Sequence, residues 1–128
     1  MATYSYDEAI YGALCYIFTC YQYDDLNKTE KEVIQETFNK RHSLSSESMK
    51  DVYFMCSYNS CNPIDDVTDS LMEYSLSQRL KAYETICIVV NKYIYEFSCA
   101  SDEIWQLAHY IMQKLEISQE DYARYIKA

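Results

Sequence analysis

The chain of 128 residues contains one glycine, Gly12, and one proline, Pro63. This scarcity constrains the fold more than any other feature of the sequence. Tight β-hairpin turns need residues that tolerate a positive φ, above all glycine and asparagine, so a fold built from many hairpins is disfavoured. A helical domain needs few such residues. We therefore predict a single all-α domain over residues 1–128.

The apolar side chains recur at helical spacing and predict a compact bundle of six or seven helices. Capping residues mark several of the helix starts, as with Ser5 and Glu8 in the first helix. In chain order, the expected helices begin near Ser5, at Thr29 (to about Lys40), at Ser46 (to about Tyr58), at about Ile64 (to Tyr74), before Leu80 (to near Phe97), before Ile104 and at Ser118.

Three further expectations concern packing. The fifth helix should be central, because Ile86, Ile88 and Val89 make it hydrophobic on nearly every side. Gly12 should allow another helix to pack closely against the first. His42 should be solvated, since it follows the second helix at an end where positive charge suits the helix dipole.

Six cysteines are present, but no C-x-x-C motif occurs among them. Nothing at the start of the chain indicates a secretory signal, so we expect a reducing, cytoplasmic location. Most of the cysteines are then expected to be small buried side chains. They are Cys15, Cys20, Cys56, Cys61, Cys87 and Cys99.

The net charge is −9, from 11 basic and 20 acidic residues. Affinity for nucleic acids and for anionic membranes comes largely from lysine and arginine, so neither is an expected partner. The longest apolar run, Ile86 to Val90, is too short to span a bilayer. The charge is compatible with cations or a basic protein as partners, and also with solubility alone.

Two acidic turns, one near each end of the chain, carry the candidate metal ligands. In each turn an acid is followed by a second acid seven residues later, Asp25 by Glu32 and Glu96 by Glu103. This repetition predicts two helix–turn–helix units related by a pseudo-twofold, which would bring the four carboxylates together. Ca²⁺ or Mg²⁺ would be the matching ligand, because both ions prefer oxygen. The alternative is local: Glu32 completes a capping box with Thr29, and the other acids stabilise turns and helix starts.

The same turns resemble a known signature. They read Asp25-Leu26-Asn27-Lys28-Thr29-Glu30-Lys31-Glu32 and Glu96-Phe97-Ser98-Cys99-Ala100-Ser101-Asp102-Glu103. Both are similar to the Asp-Gly-x-hydrophobic-Ser/Thr-x-x-Glu pattern of the TerB-like family, the fold of tellurite-resistance protein B and of the N-terminal domain of DjlA co-chaperones. The second copy leads to Leu115-Glu116-Ile117-Ser118, where the family has Leu-Gly-Leu/Ile-Ser. Leu26 and Phe97 replace the signature glycines, Lys28 replaces the hydrophobe and Ala100 replaces the second capping residue.

This resemblance implies an all-helical, acidic, cytoplasmic protein of the tellurite-resistance and stress-response type. It also implies that the clustered acids bind a divalent cation or a protein partner and do not catalyse a reaction. No nucleophile motif, glycine-rich phosphate loop or Glu-x-x-His pair occurs in the sequence, so we expect no enzyme and no catalytic residues.

Tyrosine suggests an alternative function. The chain has 15 tyrosines, more than one small core can bury, and this side chain suits interfaces. The alternative is a metal-independent interaction or structural module that forms homodimers through Tyr-rich helix faces.

The cation hypothesis makes a simple prediction. Ca²⁺ or Mg²⁺ should raise the melting temperature of the wild-type protein, because a ligand that binds the folded state stabilises it. The double variant Asp25→Asn/Glu103→Gln should lose that response in a thermal melt. A wild-type melting temperature that ignores both ions would contradict the hypothesis.

Overall fold

The computed structural model describes residues 4–22, 26–59, 62–98 and 101–128. These residues form seven α-helices and a short π-helical segment and include no β-strand, so the predicted all-α fold is confirmed. The helices are α1 (Tyr6–Gln22), α2 (Lys28–Asn39), α3 (Ser46–Phe54), α4 (Pro63–Leu71), α5 (Leu76–Phe97), α6 (Asp102–Lys114) and α7 (Gln119–Lys127), and the π-helical segment is Met55–Asn59. Within these ranges, no helix is long and apolar enough to cross a membrane.

Several helices begin where the sequence predicts. The Ser5 N–H donates to Glu8 Oε1 at 2.9 Å, and the Glu8 N–H donates to Ser5 Oγ at 3.3 Å. Ser118 Oγ accepts a hydrogen bond from the Asp121 N–H at 3.0 Å at the start of α7. Pro63 is the first residue of α4, where its missing N–H costs nothing. Local capping chemistry therefore fixes these boundaries.

The predicted cap of α2 is wrong. Instead of Thr29 and Glu32, the capping box is Asn27 and Glu30, whose side chains bond to each other's backbone N–H groups at 2.9 and 3.0 Å. Both pairs fit the capping pattern. The pair that forms is the one that turns Glu30 inward, where Tyr93 of α5 donates its hydroxyl to Glu30 Oε2 at 2.6 Å.

The central helix is α1, and the predicted central position of α5 is wrong. α1 contacts α3, α4, α5, α6 and the π-helical segment, and every residue from Ala9 to Cys15 is buried. α5 packs against α1, α2 and α6 but leaves Ile88 36% exposed and Tyr95 81% exposed. Both the size and the polarity of the side chains account for this difference. Alanine and glycine in α1 admit close neighbours, whereas α5 carries polar residues among its apolar ones.

Gly12 lies at a close contact between α1 and its neighbours, as the sequence predicts. A Cβ atom added at Gly12 would lie 2.7 Å from Val67 Cγ1 and 3.2 Å from Cys56 Sγ. The first distance is too short for two carbon atoms, so α4 sits against α1 at a separation that glycine permits.

Because the chain's one glycine lies inside α1, other residues take the left-handed conformations that end helices. Ser98 closes α5 with a φ of 47°, and Glu116 follows α6 with a φ of 56°. After α6, the Ile117 N–H bonds to the Met112 carbonyl at 3.2 Å and the Glu116 N–H bonds to the Gln113 carbonyl at 3.0 Å. This is a Schellman motif, and it directs α7 back along the bundle.

We predict that Tyr93→Phe lowers the free energy of unfolding by about 1–3 kcal/mol, because it leaves a buried oxygen of Glu30 without its donor. Tyr95→Phe is the matched control on the same helix, since Tyr95 is largely exposed, and it should change stability little. Urea unfolding followed by circular dichroism measures both. Equal stability of the two variants would contradict the structural role of the Glu30–Tyr93 bond.

Candidate functional site

The predicted acid set is placed only in part. Glu32 in α2, Glu96 near the end of α5 and Glu103 in the first turn of α6 are all exposed, and Asp25 lies outside the described residues. Glu96 Oε1 is 2.6 Å from the ammonium of Lys92. Among the described residues, no three His, Cys, Asp or Glu side chains are grouped as metal ligands. The cation site therefore stays a prediction.

His42 is not solvated as predicted. Its side chain is buried, with ring–ring distances of 5.4 Å to Phe38 and 5.9 Å to Tyr6. His42 Nδ1 lies 3.0 Å from Asp7 Oδ1, and Nε2 lies 2.7 Å from Thr85 Oγ1. The residues at the end of α2 thus bond to both α1 and α5. These bonds outweigh the preference of an exposed histidine for the helix C-terminus.

The order carboxylate, imidazole, hydroxyl matches the order of groups in a hydrolase triad, but Thr85 is fully buried. A substrate cannot reach its oxygen. Arg41 Nε donates to the same hydroxyl at 3.0 Å, and Arg41 Nη2 bonds to Glu84 Oε1 at 2.6 Å. The array is a structural network that holds α1, α2 and α5 together.

The candidate binding site is an open groove between α5, α6 and α7, with a volume of about 450 Å³. We refer to it as the aromatic groove. Its main lining residues are Tyr83 and Cys87 of α5, Trp105, His109 and Met112 of α6, and Tyr122 and Ile126 of α7. Most of this lining is apolar, with a few side chains that can form hydrogen bonds, as in protein sites for small molecules and peptides.

Polar atoms in the groove include those of Cys87, Tyr83 and Tyr122. Burial raises the pKa of the Cys87 thiol, and hydrogen bonds with Tyr122 and Tyr83 partly oppose that rise. The thiol is therefore protonated near neutral pH and is a poor nucleophile. Tyr83 and Tyr122 meet edge to face, with 5.0 Å between ring centres. The groove therefore has the chemistry of a binding surface.

α7 forms one wall of the groove and lies on the surface of the bundle. None of its residues is buried, and its contacts with α5 include the Tyr122 ring and the hydroxyl of Tyr125, which donates to Glu84 at 3.1 Å. Ile126 remains 50% exposed at the edge of the groove. Tyr122 and Tyr125 pack against the body of the bundle, whereas Ile126 does not.

The exposed apolar residues continue beyond the groove on α5. Asn91 lines the groove and shares a helix face with Ile88 and Tyr95, which are three and four residues away. Sequence reasoning missed this site. The helical spacing of Trp105, His109 and Met112 places them on one face of α6. Spacing alone does not show whether another helix packs over that face.

Two of the four described cysteines are buried, so the prediction that most of them are buried is met only in part. Cys15 and Cys56 are buried, Cys20 is partly buried, and all of them and Cys87 are free. Cys61 and Cys99 lie outside the described residues. Comparison of the chain with protein-family models, with curated proteins and with solved structures finds no match. The TerB-like resemblance therefore remains a prediction from the two turns.

We predict that the protein loses stability as the pH falls below 6.5. Desolvation by burial lowers the pKa of His42 from its ordinary value of 6.5, and the charges of Lys81 and Arg41 lower it further, while Asp7 raises it. Between the lowered pKa and 6.5 the unfolded chain binds more protons than the folded one, so acidification favours unfolding. The loss should level off below the folded-state pKa.

Chemical denaturation between pH 7.5 and 5.5 measures this dependence. His42→Gln should flatten the pH profile between the lowered pKa and 6.5, because it removes the titrating imidazole. A profile that is the same in the wild type and in His42→Gln would contradict the assignment.

Proposed function

We propose that this protein is a non-catalytic helical binding module that holds a partner protein in its aromatic groove. The observation that carries the proposal is the groove itself: an open, mainly apolar surface with a tryptophan, two tyrosines and a methionine, bordered by the half-exposed Ile126. Aromatic residues and methionine are enriched at protein interfaces. Large apolar surfaces left open on a soluble domain commonly mark sites of interaction.

The partner segment that fits best is an amphipathic helix with a basic polar face. A groove between helices accepts the apolar face of such a helix at i, i+3 or i+4, and i+7 positions. The net charge of −9 would speed the approach of a basic segment and disfavour an acidic one. The same charge opposes pairing of two copies of this chain, so we rank a different protein above a homodimer.

The predicted TerB-like resemblance agrees with one part of this proposal, which is that the protein acts by binding. A TerB-like protein would likewise act by binding, in a stress-related assembly in the cytoplasm. The cation is not needed for the groove to bind, and the three described members of the acid set are all exposed. We therefore propose a metal-independent interaction and keep Ca²⁺ or Mg²⁺ as a separate hypothesis with its own test.

Trp105 gives the experiment a built-in probe, because it is the chain's one tryptophan and lines the groove. A tryptophan-free peptide with leucine and lysine placed so that it forms an amphipathic helix should shift the fluorescence of Trp105 when it binds. The same peptide with glutamate in place of lysine should not. Ile126→Ser should weaken the response about tenfold, since it removes an apolar contact at the edge of the groove.

The matched control is Leu76→Ser, a variant at an exposed apolar residue of α5 that does not line the groove. It should bind as the wild type does. Equal responses to the basic and acidic peptides, or no response to either, would contradict the proposal. Light scattering on the free protein tests the remaining alternative, a homodimer. If the wild type is a dimer and Ile126→Ser is a monomer, a second copy of the chain occupies the groove.

A further inference from the structure

A second cavity, between α2 and α3, has the opposite chemistry to the aromatic groove. It has a volume of about 300 Å³ and is lined by two lysines, a glutamine, a serine, a methionine and two tyrosines. We refer to it as the basic cavity. It contains Lys31 and Gln35 from α2, Lys50 and Met49 from α3, and Tyr11 from α1. None of the described residues that line it is acidic, in a chain whose net charge is −9.

The two lysines are available to a ligand. Among the described residues, no carboxylate forms an ion pair with Lys31 or Lys50, whereas Lys92, Lys114, Arg41 and Arg124 each have one. The ammonium of Lys31 lies 4.2 Å from the centre of the Tyr53 ring, a cation–π contact that holds the charge at the wall of the cavity. Unpaired ammonium groups on two helices that face one cavity favour a ligand with negative charge.

Polar and apolar groups complete the cavity. Gln35 Nε2 donates to the Tyr11 hydroxyl at 3.1 Å, and a second hydrogen bond joins that hydroxyl to the buried Cys15 side chain. Ser46, the first residue of α3, also lines the cavity. Met49 and the Tyr53 ring add apolar surface. The cavity therefore offers positive charge, hydrogen-bond donors and a flat apolar wall.

We infer that the basic cavity binds a small organic dianion with a planar apolar body, of which an aryl phosphate is the simplest example. Lys31 and Lys50 would neutralise the two charges, and the Tyr53 ring and Met49 would contact the apolar body. This site is separate from the aromatic groove, and neither depends on the other.

Phenyl phosphate tests the inference, with benzoate as the monoanion and benzyl alcohol as the uncharged analogue. Calorimetric titration at pH 8 should give the tightest binding for phenyl phosphate, weaker binding for benzoate and none for benzyl alcohol. Lys31→Gln and Lys50→Gln should each weaken phenyl phosphate binding about tenfold or more, the loss expected for one charge-assisted hydrogen bond. Lys28→Gln is the matched control, because it removes the same charge from α2 outside the cavity.

Two results would overturn the inference. One is a lack of phenyl phosphate binding at millimolar concentration. The other is equal binding by the wild type and the two lysine variants, which would mean that any affinity comes from elsewhere on the surface.

Discussion

The burial of α1 is the constraint on which the rest of the structure depends. A helix surrounded by α3, α4, α5 and α6 must carry apolar side chains on nearly every face, and some of these must be small enough for neighbours to approach. Gly12 meets this need at the contact with Val67. The chain's one glycine is thus used for packing, and Ser98 and Glu116 adopt the left-handed conformations that close α5 and α6.

Buried polar contacts then fix how the other helices are oriented about α1. Glu30 both caps α2 and accepts the hydroxyl of Tyr93, so the start of α2 is tied to α5. At the other end of α2, His42 bonds to Asp7 of α1 and to Thr85 of α5. Each of these bonds contributes little net free energy to folding. A buried polar group left without its partner is costly, however, so the bonds favour the one arrangement of helices that satisfies them all.

The two proposed binding surfaces lie where this tightly packed body ends. The aromatic groove lies along α7, which has no buried residue and contacts α5 through tyrosines and Glu84. The basic cavity lies between α2 and α3, with the buried Tyr11 of α1 among its lining residues. One surface is apolar and open and the other is polar and positively charged, so their ligands should differ in size and chemistry.

The sequence by itself determined the helical class, the approximate extent of the helices and most of their inward faces, because these follow from local turn chemistry and from the 3.6-residue period. It also identified the caps at Ser5 and Ser118 and the close packing at Gly12. Only the tertiary structure decided between Asn27 and Thr29 as the cap of α2, since the deciding contact comes from Tyr93, 63 positions away from Glu30.

The same holds for the central position of α1, the burial of His42 and both candidate sites. Whether an apolar stripe is covered, whether a histidine finds buried partners and whether two lysines face one cavity all depend on how helices distant in the chain meet. Local sequence patterns do not show which helices pack together, because the free energy that decides this packing arises from contacts between residues far apart in the chain.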